Sequence, residues 1–196
     1  MIINYEPKFR DFPKLLEVVS AWGDIPTILK SIIIDFKINP ILALEFGVEF
    51  GYSTSALSNY FNTVIGVDTF LGDIHTHHKG DHFESTLDNI SKSGYENIFL
   101  VKNTYQEFIK TNNAKYDLIH IDIVHTYEDT FACGEWSINH SNVVIFHDTE
   151  CFTDVRQACT DLSIKYDLDF YNYPNSYGLG ILVKKSLTDD RATTNL

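Results

Sequence analysis

Five short apolar runs, at residues 41–46, 64–67, 98–101, 118–121 and 143–146, alternate with stretches of helical periodicity, and this alternation limits what the chain can become more than any other feature. Each run has the length of a strand buried on both faces, and strands that alternate with helices build βα units around a parallel sheet with helices on both sides. The last third changes character. A helix with Val155, Ala158, Cys159 and Leu162 on one face precedes a run at 168–173, and Pro174, Asn175 and Ser176 lead at once into a run at 178–183. Strands joined by so short a connection pair antiparallel. The expected fold class is therefore α/β: a doubly wound, Rossmann-like, mostly parallel sheet of seven strands with a C-terminal antiparallel hairpin. Leu15, Leu16, Val18, Val19 and Trp22, then Ile28, Leu29, Ile32 and Ile33 after Pro26, predict two helices ahead of the sheet. Residues 1–36 would form a helical cap on the same domain, 37–185 its core, and 186–196 a polar, frayed tail.

In doubly wound sheets ligands bind beyond the carboxyl ends of the strands, so the first βα turn is the place to look. Gly47 and Gly51 bracket that turn. Gly47 can adopt backbone angles closed to other residues and let a ligand approach the main chain; Gly51 allows close packing where the next helix begins, with Ser53 or Thr54 placed to cap it. Glu49 stands where a G-x-G-x-x-G dinucleotide fingerprint has its middle glycine. With Glu45 it puts two carboxylates at the turn, whereas a pyrophosphate favours bare amides and positive potential, so a cationic cofactor fits better. Asp68 follows the turn by about twenty residues, the usual separation for an acid that binds ribose hydroxyls. Glu45 is assigned to the amino-acid end of such a ligand, and Asn103 and Thr104, after the third run, to its adenine end.

Asp122 and Asp148 end the fourth and fifth runs and so project at the same sheet edge. Two carboxylates, with Thr149 as a third oxygen donor, suit a hard divalent cation such as Mg2+; the alternative reading makes the same acids caps of the helices that follow. His125, three residues past Asp122, has the pKa range of a proton acceptor. His75, His77 and His78 match no zinc spacing and read as a loop beside the substrate, while His147 is expected to point into the sheet packing.

The 196-residue chain carries a formal charge of −12, which argues against nucleic acid, since affinity for phosphate backbones rests on clustered Lys and Arg. Three cysteines without paired spacing suggest no disulfide framework and a reducing cytoplasm. No apolar run is long enough to cross a bilayer and the N-terminus does not read as a signal peptide, so no membrane partner is expected. A homo-oligomer is left open.

Residues 45–54, 66–68, 121–128, 145–149 and 177–181 together resemble the class I S-adenosylmethionine-dependent methyltransferases, in the small family found beside macrocin and related sugar O-methyltransferases. The resemblance implies S-adenosylmethionine as cofactor, held by Glu45, Gly47, Glu49, Gly51, Ser53, Asp68, Asn103, Thr104 and Asp122, and methylation of a small-molecule or sugar hydroxyl. Resemblance to catechol O-methyltransferase further implies Asp122, Asp148 and Thr149 as metal ligands, with Asp122 and His125 as the catalytic pair and His125 as general base. Two departures stand out: Ile123-Val124 replaces a usual Gly-Asp, and His140-Ser141-Asn142 a usual Pro-Gly-Gly. A degenerate, non-catalytic cofactor-binding module and an NAD-type oxidoreductase are the rival readings.

Overall fold

The structure is a computed structural model that describes residues 1–76 and 79–188. Its elements are β1 (Ile2–Asn4), α1 (Leu29–Asp35), β2 (Leu42–Phe46), α2 (Tyr52–Ser58), β3 (Thr63–Asp68), α3 (Phe83–Lys92), β4 (Ile98–Lys102), α4 (Tyr105–Thr111), β5 (Leu118–Ile121), α5 (Tyr127–His140), β6 (Val143–His147), α6 (Thr153–Lys165), β7 (Leu168–Tyr173) and β8 (Leu179–Lys184). The strands form one sheet in the order β1-β7-β8-β6-β5-β2-β3-β4. Only β8 runs against its neighbours, β6 and β7; every other pairing is parallel. The α/β sheet with its antiparallel hairpin is as the sequence predicts. Among the described residues the strands number eight rather than seven, because Ile2–Asn4 joins the edge beside Phe170–Asn172, a pairing of residues far apart in sequence that no local pattern announces.

Burial on both sheet faces explains the apolar runs of the central strands β2, β5 and β6. The run at 98–101 instead forms the edge strand β4, where Phe99 is 57% exposed, so the expectation of two-sided burial fails there. Ala43, Leu118, Val143 and Ile145 pack with Trp22, Phe36 and Leu57 on one face, while Leu44, Ile119, Val144 and Phe146 pack with Phe108, Cys133 and Leu162 on the other. A fully buried Val, Ile or Phe contributes about 1.5–3 kcal/mol, so these strands commit the register of the sheet. The parallel strands open at one edge, where their carboxyl ends and the following loops lie.

The N-terminal expectation needs correction. A 3-10 turn at Ile25–Ile28 and the single helix α1 follow an irregular segment, and no helix spans Leu15 to Trp22. Leu16 and Trp22 are each 2% exposed but Val19 is 88% exposed, so these apolar residues act as separate plugs rather than as one helical stripe. Pro13 and a left-handed Gly23 are ill suited to a helix through this segment. Asp24 ties the segment to the β7–β8 turn: its carboxylate accepts from Arg10, Tyr173 and the Ser176 hydroxyl. Among the described residues no helix is long and apolar enough to cross a membrane. Of the expected tail, residues 189–196 lie outside the described residues.

Candidate active site

A cavity of about 860 Å3 opens at the carboxyl edge of the sheet. One half is built by the β2–α2 turn. Gly47 sits at φ +87°, and an added Cβ would fall 1.7 Å from the backbone oxygen of Asp122, so only glycine lets β2 and β5 close at this point. The Asp122 amide donates to the Phe46 carbonyl at 2.8 Å, locking the two strand ends together. The amides of Val48 and Glu49 both donate to one carboxylate oxygen of Asp68 at 2.8 Å, and the Phe70 amide donates to the other at 2.7 Å. Asp68 therefore shapes the turn as well as lining the cavity. Glu49 also lines it; burial, then the charges of Asp122 and Asp68, raise its pKa above the ordinary glutamate value.

Ser53, Asn103 and Thr104 join Gly47, Glu49, Asp68 and Asp122 in the cavity wall. Thr104 at the same time caps α4, accepting from the Glu107 amide. Three sequence expectations change here. Glu45, assigned to the ligand's amino-acid end, is fully buried; Thr54 donates to its carboxylate and His120 Nδ1 lies 2.9 Å from it, so it has no access to the cavity. Its position on a strand buried on both faces turns the side chain into the interior. Gly51 lies behind the wall, against Ile90 and Leu16, and itself occupies the α2 N-cap at φ +84°; neither Ser53 nor Thr54 caps that helix. Thr149 is 1% exposed and donates to Asn172 Oδ1 at 2.6 Å, so its oxygen faces β7 rather than the two acids.

The other half is a compact charge cluster. His125 Nε2 lies 2.8 Å from Asp148 Oδ2 and 3.4 Å from Asp122 Oδ1. His147 Nδ1 lies 3.3 Å from both Asp122 Oδ2 and Asp148 Oδ2, and its Nε2 is 3.2 Å from the Ser176 carbonyl oxygen. With an acceptor beside each nitrogen, His147 is suited to the doubly protonated, cationic form. Burial works against that charge, but Asp122 and Asp148 outweigh it and push the His147 pKa up to about 10. The same contest leaves His125 at about 9. Asp122 and Asp148 are correspondingly lowered from the ordinary aspartate value, burial being overcome by the two imidazoles. Neither ring nitrogen of His125 completes an aligned hydrogen bond, so charge rather than direction holds it. Asp148 reaches the cluster from a left-handed backbone, φ +66°, a conformation that costs a non-glycine residue about 1–2 kcal/mol.

His147 was expected in the sheet packing; the structure turns it into the cavity wall, and its place immediately before Asp148 was the one available signal. Sequence reading also passed over Trp22, Phe152 and Tyr177, which line the same half. Phe152 stacks on His125 with centroids 4.1 Å apart, and His75 sits edge-on to both rings. His75 is thus beside the centre, while His77 and His78 lie outside the described residues.

Residues 44–149 match the sequence model of the family described as Methyltransferase domain. No curated protein matches the chain. Solved structures share its fold. A Staphylococcus aureus protein assigned as a caffeoyl-CoA O-methyltransferase is 15% identical, with a TM-score of 0.65 over 86% of each chain. The Podospora anserina methyltransferase PaMTH1, solved with S-adenosylhomocysteine bound, is 13% identical, with a TM-score of 0.62 over 81% of this chain and 79% of its own. CalS11, a TDP-rhamnose 3'-O-methyltransferase of calicheamicin biosynthesis, is 16% identical, with a TM-score of 0.60 over 79% of this chain and 76% of its own.

Proposed function

The chain belongs to the Methyltransferase domain family and is a class I S-adenosylmethionine-dependent methyltransferase, and from that premise we propose that it methylates a hydroxyl of a small molecule or sugar, with Asp122, His125 and Asp148 as its chemical centre. The observation that carries this reading is the convergence of the imidazole and two carboxylates in the same cavity as the Gly47 turn and Asp68. S-adenosylmethionine would lie along that turn, its ribose against Asp68 and its adenine toward Asn103 and Thr104, with Glu49 facing the sulfonium. When bound, S-adenosylmethionine would supply an electrophilic methyl group to the acceptor oxygen, with S-adenosylhomocysteine as the leaving group, and the hydroxyl proton would pass to a base of this chain. Alignment of the two reactants can supply about 7–11 kcal/mol of the barrier reduction. His125 is the base in this scheme, and it must first give up its own proton to the solvent because the neighbouring acids hold it as a cation near neutral pH.

The ligand atoms of Asp122, His125 and Asp148 lie within 4.8 Å of one another. Two carboxylates and an imidazole fit a divalent cation, and the nitrogen donor favours Mn2+ or Zn2+ over Mg2+. Such an ion, when bound, supplies positive charge that acidifies the acceptor hydroxyl. His125 would then serve as ligand rather than base. Calorimetry separates these roles: with S-adenosylhomocysteine bound, Mn2+ binding that is lost in Asp122→Asn and weakened in His125→Ala identifies the ligand, whereas equal binding in His125→Ala returns it to the base. S-adenosylhomocysteine binding without turnover on any hydroxyl acceptor would overturn the transfer reading and favour a non-catalytic module.

A further inference from the structure

We propose that Tyr177 is an acceptor-binding residue: its ring packs on the ring face of a hydroxyl-bearing acceptor, sugar or aryl, and its hydroxyl meets one of that acceptor's oxygens. This deepens the methyl-transfer reading above and rests on it. The backbone of the β7–β8 turn gives the first indication. The Gly178 amide donates to the Asn175 carbonyl at 3.0 Å, closing a four-residue turn whose central residues are both left-handed, Ser176 at φ +53° and Tyr177 at φ +66°. Positive φ at both central positions is the pattern of a type I′ hairpin turn, which selects Asn and Gly because a Cβ is crowded there. A bulky tyrosine is among the residues least suited to it. Glycine at 177 would relieve the strain and keep the backbone bonds of the turn.

Two other segments clamp the turn in this conformation. The Glu150 amide donates to the Tyr177 carbonyl at 2.8 Å, the Asp24 amide to the Ser176 hydroxyl at 3.0 Å, and that hydroxyl to the Asp24 carboxylate at 2.6 Å. None of these bonds uses the Tyr177 side chain. Tyr177 is 53% exposed, and among the described residues no ring contact or hydrogen bond engages its ring or hydroxyl. Packing within the chain therefore does not account for a tyrosine here. The cavity does. Tyr177 lines it with Trp22 and Phe152, and the Ser176 carbonyl oxygen lies 3.2 Å from His147 Nε2, which sets the turn against the charge cluster. Strain maintained by surrounding contacts, on a residue whose side chain stays free beside a reacting centre, marks a pre-organised ligand contact. A ring held in place with one hydroxyl offers a flat apolar face and a hydrogen-bonding edge, which complements a ring that carries hydroxyls.

The test is calorimetric titration of the protein saturated with S-adenosylhomocysteine, using methyl rhamnoside as the sugar probe and catechol as the aryl probe. Wild type is compared with Tyr177→Phe, Tyr177→Ala and Tyr177→Gly. At least one probe is expected to bind wild type, and the tighter of the two identifies the kind of ring. Tyr177→Ala, which keeps the strain, and Tyr177→Gly, which removes it, should each weaken that probe about tenfold or more, and Tyr177→Phe should weaken it less. Thermal unfolding supplies the second arm. Tyr177→Gly should melt at or above the wild-type temperature, because glycine adopts φ +66° without a Cβ penalty. A tyrosine kept only for structure would give the reverse, a lower Tm with unchanged probe affinity. Probe affinity within about twofold of wild type in both Tyr177→Ala and Tyr177→Gly overturns the inference. So does a Tyr177→Gly Tm more than about 4 °C below wild type, or the binding of neither probe to wild type. Failure to saturate with S-adenosylhomocysteine in the first step would instead overturn the cofactor assignment on which the proposal rests.

Discussion

Replacing Gly47 by alanine tests the link between the cofactor turn and the chemical centre. The new Cβ would lie 1.7 Å from the Asp122 carbonyl oxygen and 2.5 Å from its carbon, against the 3.4 Å at which ordinary contact begins. Backbone atoms of a central strand cannot rotate away as a flexible side chain can, so β2 and β5 must separate at their carboxyl ends. That separation strains the 2.8 Å bond from the Asp122 amide to the Phe46 carbonyl. Holding alanine at φ +87° costs about 1–2 kcal/mol, and losing the interstrand bond about 0.5–1.5 more. A loss of about 1.5–3.5 kcal/mol in a chain of this size lowers Tm by roughly 3–14 °C. Asp122 also moves relative to His125 and His147, so S-adenosylhomocysteine affinity falls with stability. Gly94→Ala is the matched control: it carries a similar φ of +75°, but the added Cβ meets only Lys14 Nζ at 3.9 Å. Thermal unfolding and calorimetry on both variants decide the matter. If Gly47→Ala melts within about 2 °C of Gly94→Ala and binds S-adenosylhomocysteine normally, the steric reasoning is wrong.

Three further outcomes follow from the same geometry. If His125 is the base, its pKa of about 9 makes turnover rise with pH toward that value, and His125→Ala should lose roughly 100-fold or more and flatten the profile; a wild-type rate independent of pH between about 7 and 10 would exclude the role. For His147 the folded pKa, about 10, lies above the ordinary 6.5. The imidazolium's contribution to stability is therefore complete below about 6.5 and is lost as pH rises through about 10; urea unfolding should show wild type converging on His147→Gln across that window, and a constant difference would refute it. Thr149→Val leaves Asn172 Oδ1 without its hydroxyl donor, at a cost of about 1–3 kcal/mol, while Mn2+ and cofactor binding stay unchanged. Loss of Mn2+ binding in that variant would restore Thr149 as a ligand.

Much of the fold is local information. Each strand of the inner sheet is announced by an apolar run that only a two-sided burial can satisfy, and the short link through Pro174 dictates an antiparallel partner. Gly47, Glu49, Asp68 and Asp122 were legible for the same reason: the strand ends fix which edge they occupy. β1 was not legible, because its pairing with Phe170–Asn172 depends on chain ends meeting in space. Nor was the N-terminal segment, whose apolar residues satisfy separate pockets rather than one face.

The sequence by itself determined the sheet, the turn and the edge at which two acids gather, since periodicity and spacing bind neighbours along the chain. Side-chain direction at that edge was decided only by tertiary packing. Glu45 and Thr149 turn inward because Thr54, His120 and Asn172 lie there to pair with them. His147 turns toward the cavity because two carboxylates and the Ser176 carbonyl, brought from β5, from the end of β6 and from the hairpin turn, surround its two nitrogens. Those partners stand as far as 75 residues apart in sequence, beyond the reach of any local pattern.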